Sequence, residues 1–181
     1  MKQMMELLLN ANVYKRPALR IVLDRLELHN NPAPVDLSNL SIEHLMPQTP
    51  TEEWLEELDT DMETYLENLH RIGNLTLAAK KDNSKMSNLM WDYKNEVLKE
   101  TAHLKLNLEL MEIDKWDMAK IDIRTKELID KICAIYPYPE VSVTQKIDDS
   151  VVDEMTALDM CVETVSYTHL TLPTILRVEI S

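Results

Sequence analysis

The sequence predicts an α+β domain that is mostly helical. Three observations point there. Gly73 is the single glycine in 181 residues, and tight hairpins and glycine-rich phosphate loops both need glycine, which argues against Rossmann and P-loop architectures. Phe is absent, and an apolar share of 45% rests largely on Leu and 11 Met, both good helix formers. Most apolar residues recur at three- and four-residue steps, the helical period, with two short extended runs as exceptions.

The elements follow in chain order. Residues 16–29, "RPALRIVLDRLELH", place Leu19, Ile21, Val22, Leu23, Leu26 and Leu28 at helical spacing, with Pro17 in the first turn and Asn30-Asn31-Pro32 as the stop. "NPAPVDLSNL" is a proline-punctuated connector. "LSIEHL" predicts a short strand ending in a loop at Pro47. "TPTEEWLEEL" predicts a helix capped by Thr49 or Thr51 with acids in its first turn. "DMETYLENLHRI" predicts a second helix, broken at Gly73. "NLTLAA", residues 74–79, predicts the second strand. One helix is expected over residues 83–100, "NSKMSNLMWDYKNEVLKE", with Met86, Leu89, Met90, Tyr93 and Val97 on one face. Residues 103–113 and 118–135 predict two further amphipathic helices. Trp54, Trp91 and Trp116 are expected in the core; His29 and His103 show no partner pattern and suit surface or cap roles.

Charge and cysteine content exclude several classes. The formal net charge of −13 argues against a protein that coats nucleic acid non-specifically. The charge is uneven, however. Residues 36–70 carry ten Asp/Glu and no Lys/Arg, whereas residues 71–88 carry Arg71, Lys80, Lys81 and Lys85 against Asp82 alone. Such a local basic patch can still meet phosphate. Two cysteines, Cys133 and Cys161, provide neither a disulfide framework nor a cysteine-based zinc site, and suit a cytoplasmic setting. No apolar run is long enough to span a membrane, and the N-terminus lacks signal-peptide features.

The chemistry is concentrated in "SIEHLMPQ", residues 41–48. Glu43 and His44 end the first strand. Asn74 opens the second strand thirty residues later, in "HRIGNLTL", and Asn83 follows nine residues on, in "KKDNSK", at the expected start of a helix. Strand, strand and helix around one metal form the ββα-metal core of HNH, or His-Me finger, nucleases. Hydrolysis of a phosphodiester needs an activated water, charge neutralisation and help for the leaving oxygen. A neutral imidazole is a suitable base near neutral pH, while a carboxylate and an amide oxygen are hard donors suited to Mg²⁺. Alternation along a regular strand sends Glu43 and His44 to opposite faces, so the strand end must bend for them to converge, and Pro47 marks such a break.

"VDLSNLSIEHLMPQTPTEEW", "HRIGNLTLAAKKDNSKMSN" and "KWDMAKIDIRTKELIDKICAIYPYP" resemble the C-terminal HNH domain of GmrSD-type restriction proteins, over about residues 18–139. The resemblance implies a DNA endonuclease of a restriction or phage-defence system, using Mg²⁺ or Mn²⁺. It implies His44 as general base, Asn74 as the residue that positions it, and Glu43 and Asn83 as metal ligands. His70, Arg71, Lys80, Lys81 and Lys85 are candidate phosphate contacts. It also implies an N-terminal ParB-like NTPase partner domain, with residues 1–35 ending a preceding helical region and 36–139 forming the nuclease domain. The cysteine pairs that hold structural zinc in many HNH proteins are missing. Residues 140–164 are expected to be a linker or the start of a truncated region. "VSYTHLTLPT", residues 165–174, resembles a translated sequencing adapter, so 165–181 is expected to be an artefact and His169 is set aside. Two alternatives stay open: an inert DNA-binding or interaction module with the same fold, and a helical bundle whose motif is accidental.

Overall fold

A computed structural model describes residues 8–29, 31, 35–101 and 104–137. The expectations for residues 1–7, His103, 140–164 and 165–181 lie outside them. The named elements are α1 (Ala18–Leu28), β1 (Leu40–His44), α2 (Glu52–Leu58), α3 (Met62–Leu69), a 3₁₀ turn (Ile72–Asn74), β2 (Leu75–Ala79), α4 (Lys80–Met86), α5 (Trp91–Thr101), α6 (Lys105–Leu108), a second 3₁₀ turn (Glu109–Glu112) and α7 (Met118–Ile135). Among the described residues no helix is long and apolar enough to cross a membrane.

β1 and β2 form a two-stranded antiparallel sheet in which Leu40 faces Ala79, Ile42 faces Leu77, Glu43 faces Thr76 and His44 faces Leu75. Alternation along each strand divides its side chains between two apolar clusters. One cluster gathers Leu40, Leu75 and Leu77 with Leu19, Val22 and Leu23 of α1 and Leu128, Ile129 and Ile132 of α7. The other gathers Ala78 and Leu45 with Trp54, Tyr65, Met86, Trp91, Trp116 and Ile121. The expected core tryptophans are all there, each 0–1% exposed, and truncating any one to Ala would cost about 3–5 kcal/mol. Leu8, Ala11 and Val13 share the first cluster, so residues ahead of α1 pack in the same core as the hairpin.

Local rules account for several boundaries. Thr51 Oγ1 caps α2 by accepting the Trp54 N–H at 3.4 Å, Asp61 caps α3 through the Thr64 N–H at 2.7 Å, and Asp117 caps α7 through the Lys120 N–H at 2.9 Å. α7 spans Met118–Ile135, as the periodicity predicts. Two expectations change. The single helix expected over 83–100 is two helices, because the chain turns out of α4 at Ser87, with φ +35°, and resumes at Trp91. The helix expected over 103–113 is the short α6 followed by a 3₁₀ turn. Its start is capped from far away: the buried Glu27 carboxylate on α1 accepts the N–H groups of Lys105 and Leu106 at 2.9 and 2.8 Å.

Gly73 sits where no side chain fits. A Cβ there would overlap the Ile121 carbonyl oxygen and the Thr125 hydroxyl on α7. The Gly73 N–H donates to Thr125 Oγ1 at 3.2 Å, and the buried Arg124 guanidinium donates to the carbonyls of Gly73 and Leu75, both at 2.7 Å. The turn before β2 is thereby locked onto α7, and with it the residue that follows, Asn74.

Candidate active site

Asn74 is fully buried, and its side-chain amide is completely used. Oδ1 accepts the Met46 N–H at 2.8 Å and the Trp116 indole N–H at 3.2 Å; Nδ2 donates to the carbonyls of Met46 and Leu69 at 3.0 and 2.8 Å. Its backbone carbonyl accepts the Leu45 N–H at 2.9 Å. Two donors and two acceptors exhaust a primary amide. The loop after His44 is pinned a second time by Tyr65, whose hydroxyl donates to the Pro47 carbonyl at 2.6 Å; burial raises that phenol above its ordinary pKa, so it remains a donor.

At the end of β1 His44 is 4% exposed. Its Nε2 lies 3.1 Å from Nδ1 of His70, the residue that closes α3 and is itself part-exposed. Tyr14 completes the group: its ring meets His44 edge-on at 4.4 Å between centroids and stacks on His70 at 5.1 Å, nearly parallel at 8°. Burial, then the proximity of His70 and Lys94, push the His44 imidazole down to about 3. Burial and the charge of Lys15 also hold His70 below the usual histidine value. Both rings are therefore neutral near pH 7, and one of the two facing nitrogens donates to the other.

Glu43 takes a different partner. Its Oε1 lies 2.6 Å from Nζ of Lys94, on α5, and that ammonium also donates to the His44 carbonyl oxygen at 2.6 Å. Lys94 is 0% exposed and Glu43 5%. Burial raises the Glu43 pKa and lowers that of Lys94, pushing both groups towards their neutral forms, and their mutual contact opposes it.

Asn83 lies within α4 rather than at its start, because α4 begins directly after β2 at Lys80. Its Nδ2 donates to Ser41 Oγ and to the Ile42 carbonyl, both at 3.0 Å, which ties α4 across β1. Among the described residues its Oδ1 accepts no hydrogen bond. Glu43 and Asn83 thus present a carboxylate and a free amide oxygen, hard donors of the kind that Mg²⁺ takes alongside retained waters. No cluster of three His, Cys, Asp or Glu able to hold a metal occurs among the described residues, and the Lys94 ammonium already occupies one Glu43 oxygen. The donor chemistry suits a hard cation, which would have to compete with Lys94 for the Glu43 carboxylate.

The basic candidates separate into two kinds. Lys80, Lys81 and Lys85 are exposed on α4, Lys85 lying 3.5 Å from Asp82. Arg71 is 7% exposed. Its guanidinium is occupied by the Leu9 carbonyl at 2.9 Å and by Asn68 and Asp122, each at 2.6 Å. It serves the packing of residues 8–13 and α7 onto the Asn74 turn rather than facing solvent.

Sequence reasoning did not single out Lys94, Tyr14, Tyr65 or Trp116 as neighbours of the site. For Lys94 a signal existed: it shares a stripe with Trp91, Asn95 and Leu98, which are the buried face of α5, at steps of three and four residues. A lysine in an apolar stripe needs a partner. The face expected for this helix was instead the one bearing Leu89 and Tyr93, which are 41% and 65% exposed.

The sequence profile of the GmrSD restriction endonuclease C-terminal domain matches residues 2–131. No curated protein matches the chain. With most of its 181 residues covered, from the segment ahead of α1 into α7, the chain belongs to the GmrSD restriction endonuclease C-terminal domain family, a nuclease family of restriction systems whose substrate is DNA.

Proposed function

We propose that this domain is an HNH-type endonuclease that hydrolyses DNA phosphodiester bonds with an imidazole base and a divalent cation. The observation that carries this reading is the hydrogen-bonded pair of neutral imidazoles, His44 and His70, at the end of β1. A neutral imidazole can take the proton of an attacking water, a contribution of about 10²–10⁴-fold in rate. Asn74 and Tyr65 hold the adjoining loop by hydrogen bonds on both sides of its turn, so the pair is set before DNA arrives. Glu43 and Asn83 would hold Mg²⁺ or Mn²⁺, which when bound supplies charge neutralisation at the phosphate. Lys80, Lys81 and Lys85 are exposed on α4 and would meet the DNA backbone, an electrostatic contact that salt weakens. In the family setting the domain would act in the cytoplasm beside a ParB-like NTPase domain.

A second reading draws on the 4% exposure of His44: the same fold could serve as an inert DNA-binding or interaction module. Cleavage of supercoiled plasmid in Mg²⁺, Mn²⁺ or EDTA separates the two. The nuclease reading expects metal-dependent nicking that His44→Ala abolishes while circular dichroism is unchanged. Intact plasmid with the folded wild-type protein favours the inert module. Glu43→Ala and Asn83→Ala should each weaken Mg²⁺ binding in a calorimetric titration.

A further inference from the structure

We propose that Lys15, in the turn ahead of α1, is a contact for a DNA backbone phosphate beside the His44–His70 pair. On the nuclease reading, on which this inference rests, the pair is where a phosphodiester reacts. Residues 9–16 lie outside the Glu43–Asn83 motif, and the fold brings them onto it. Nε of Arg71 donates to the Leu9 carbonyl at 2.9 Å, and the Val13 N–H donates to the His70 carbonyl at 3.0 Å. Two consecutive residues at the end of α3 thus hold this segment in place. The Arg16 N–H then donates back to the Val13 carbonyl at 3.0 Å, which closes a turn with Tyr14 and Lys15 as its central residues. Tyr14 packs its ring against both imidazoles. Lys15, the next residue, is exposed. Among the described residues no carboxylate lies within ion-pair distance of its ammonium, unlike Lys85, Lys94 and Lys131, each of which has one.

Position along the hairpin separates Lys15 from the lysine that opens α4. His44 faces Leu75 at one end of the sheet, whereas Ala79, the residue before Lys80, faces Leu40 at the other. A five-residue strand rising about 3.3 Å per residue puts those ends about 13 Å apart. The Lys80 N–H donates to the Asn39 carbonyl at 3.1 Å, which fixes the start of α4 at the far end. Lys15 stands at the near one, through the bond of Val13 to His70 and the packing of Tyr14. Burial and then the charge of Lys15 hold His70 below the usual histidine value, as a cation close to the ring must. Both imidazoles are neutral near pH 7, so Lys15 gives this corner an exposed positive charge. In a chain of net charge −13, a local cation of this kind offsets the repulsion that an approaching phosphate meets.

Binding can be measured apart from cleavage. The full chain is titrated onto a fluorescein-labelled DNA duplex in EDTA at a series of KCl concentrations, followed by anisotropy. Lys15→Gln should make the fall of log affinity with log salt shallower by about 0.9, the value of one phosphate contact, and Lys15→Arg should keep the wild-type slope. Lys126→Gln, which removes an exposed lysine of α7, should keep it as well, and so separates a contact from a change in net charge. In plasmid cleavage with Mg²⁺, Lys15→Gln should raise KM several-fold with kcat within about twofold of wild type, as expected for an interaction made equally with substrate and transition state. A wild-type salt slope in Lys15→Gln, or an equal loss of slope in Lys126→Gln, overturns the inference and leaves the nuclease reading intact. So does a loss of rate that falls on kcat alone. A shallower slope for Lys15→Gln alone, in a protein that binds the duplex and cuts no plasmid, supports the contact and overturns the nuclease reading.

Discussion

Lys94 holds its ammonium nitrogen 2.6 Å from Oε1 of Glu43 and 2.6 Å from the carbonyl oxygen of His44, with the lysine wholly enclosed. The pair ties α5 to the end of β1, the strand that carries the histidine. Removing one member of a buried ion pair leaves the other charge without compensation, at a cost of about 3–5 kcal/mol, whereas replacing both by neutral groups of similar volume can be close to neutral. Lys94→Met should therefore destabilise the protein by about that amount, and the double variant Glu43→Gln/Lys94→Met should recover most of it. Urea unfolding with an unchanged m-value measures both. If the double variant is as unstable as the single one, a buried, uncompensated carboxylate is not the cause.

The same contact predicts how Mg²⁺ behaves. In Lys94→Met the Glu43 carboxylate loses its ammonium, and on the proposed metal-binding reading a hard divalent cation would gain an uncontested oxygen donor. Millimolar Mg²⁺ should raise the Tm of Lys94→Met by several degrees and leave Glu43→Gln/Lys94→Met unmoved, since a ligand that binds only the folded state stabilises it by mass action. Equal shifts in the two variants would place any Mg²⁺ effect elsewhere on this acidic chain.

Asn74 is bound through all four of its amide hydrogen-bonding positions. Asn74→Asp is nearly isosteric, but the oxygen replacing Nδ2 would face the carbonyl oxygens of Met46 and Leu69 inside the core. Buried acceptors left facing an acceptor cost about 1–3 kcal/mol each. Asn74→Asp should lose about 3 kcal/mol or more at neutral pH and release the loop after His44. Thermal unfolding of Asn74→Asp and Asn74→Ala side by side checks this. Stability within 1 kcal/mol of wild type in either variant would remove Asn74 as the anchor of that loop.

The parts of this site that were legible in the sequence are those set by local chemistry. The two extended runs, the break at Pro47 and the Glu-His and Asn spacings read directly because strands alternate with period two and turns use distinctive residues. Asn74 bridging the loop backbone follows from its place in the turn immediately before β2. What the sequence hid are contacts closed over long chain distances. Glu27 caps α6 from 78 residues away, Arg71 reaches back 62 residues to Leu9, and Lys94 reaches 51 residues to Glu43. A side chain's charge marks it as needing a partner and carries no record of which one. The pairing of His44 with His70, 26 residues apart, was hidden for the same reason: the α3 helix and its turn decide where His70 lands.

Gly73 offers a sharper test of how the Asn74 turn is held. Its φ is not in the left-handed region, so the requirement is space: a methyl group would drive into the Ile121 carbonyl and Thr125, backbone and a β-branched side chain that have little freedom to yield. Gly73→Ala should cost about 2–4 kcal/mol. Thr125→Ser should leave the wild type nearly unaffected, because the hydroxyl that accepts the Gly73 N–H remains. If Gly73→Ala unfolds at the same urea concentration as wild type, α7 does not press on this turn.

The depressed histidines predict an acid-side loss of stability. For His44 the folded value is about 3, set first by burial and then by His70 and Lys94, against about 6.5 in the unfolded chain. Above pH 6.5 both states are neutral at this ring and it contributes nothing to the pH dependence. Below that, the unfolded chain takes up a proton that the folded chain does not, so stability falls as pH drops through the window from about 6.5 to about 3, by at most about 1.4 kcal/mol per pH unit. His70 shifts in the same direction, through burial first and then the charge of Lys15, and adds to the slope. Urea midpoints between pH 7.5 and 5 measure it, and His44→Gln/His70→Gln should be visibly flatter than wild type. A double variant with an undiminished slope would mean that the acid sensitivity originates in the carboxylates and that the imidazole pair takes up protons as readily folded as unfolded.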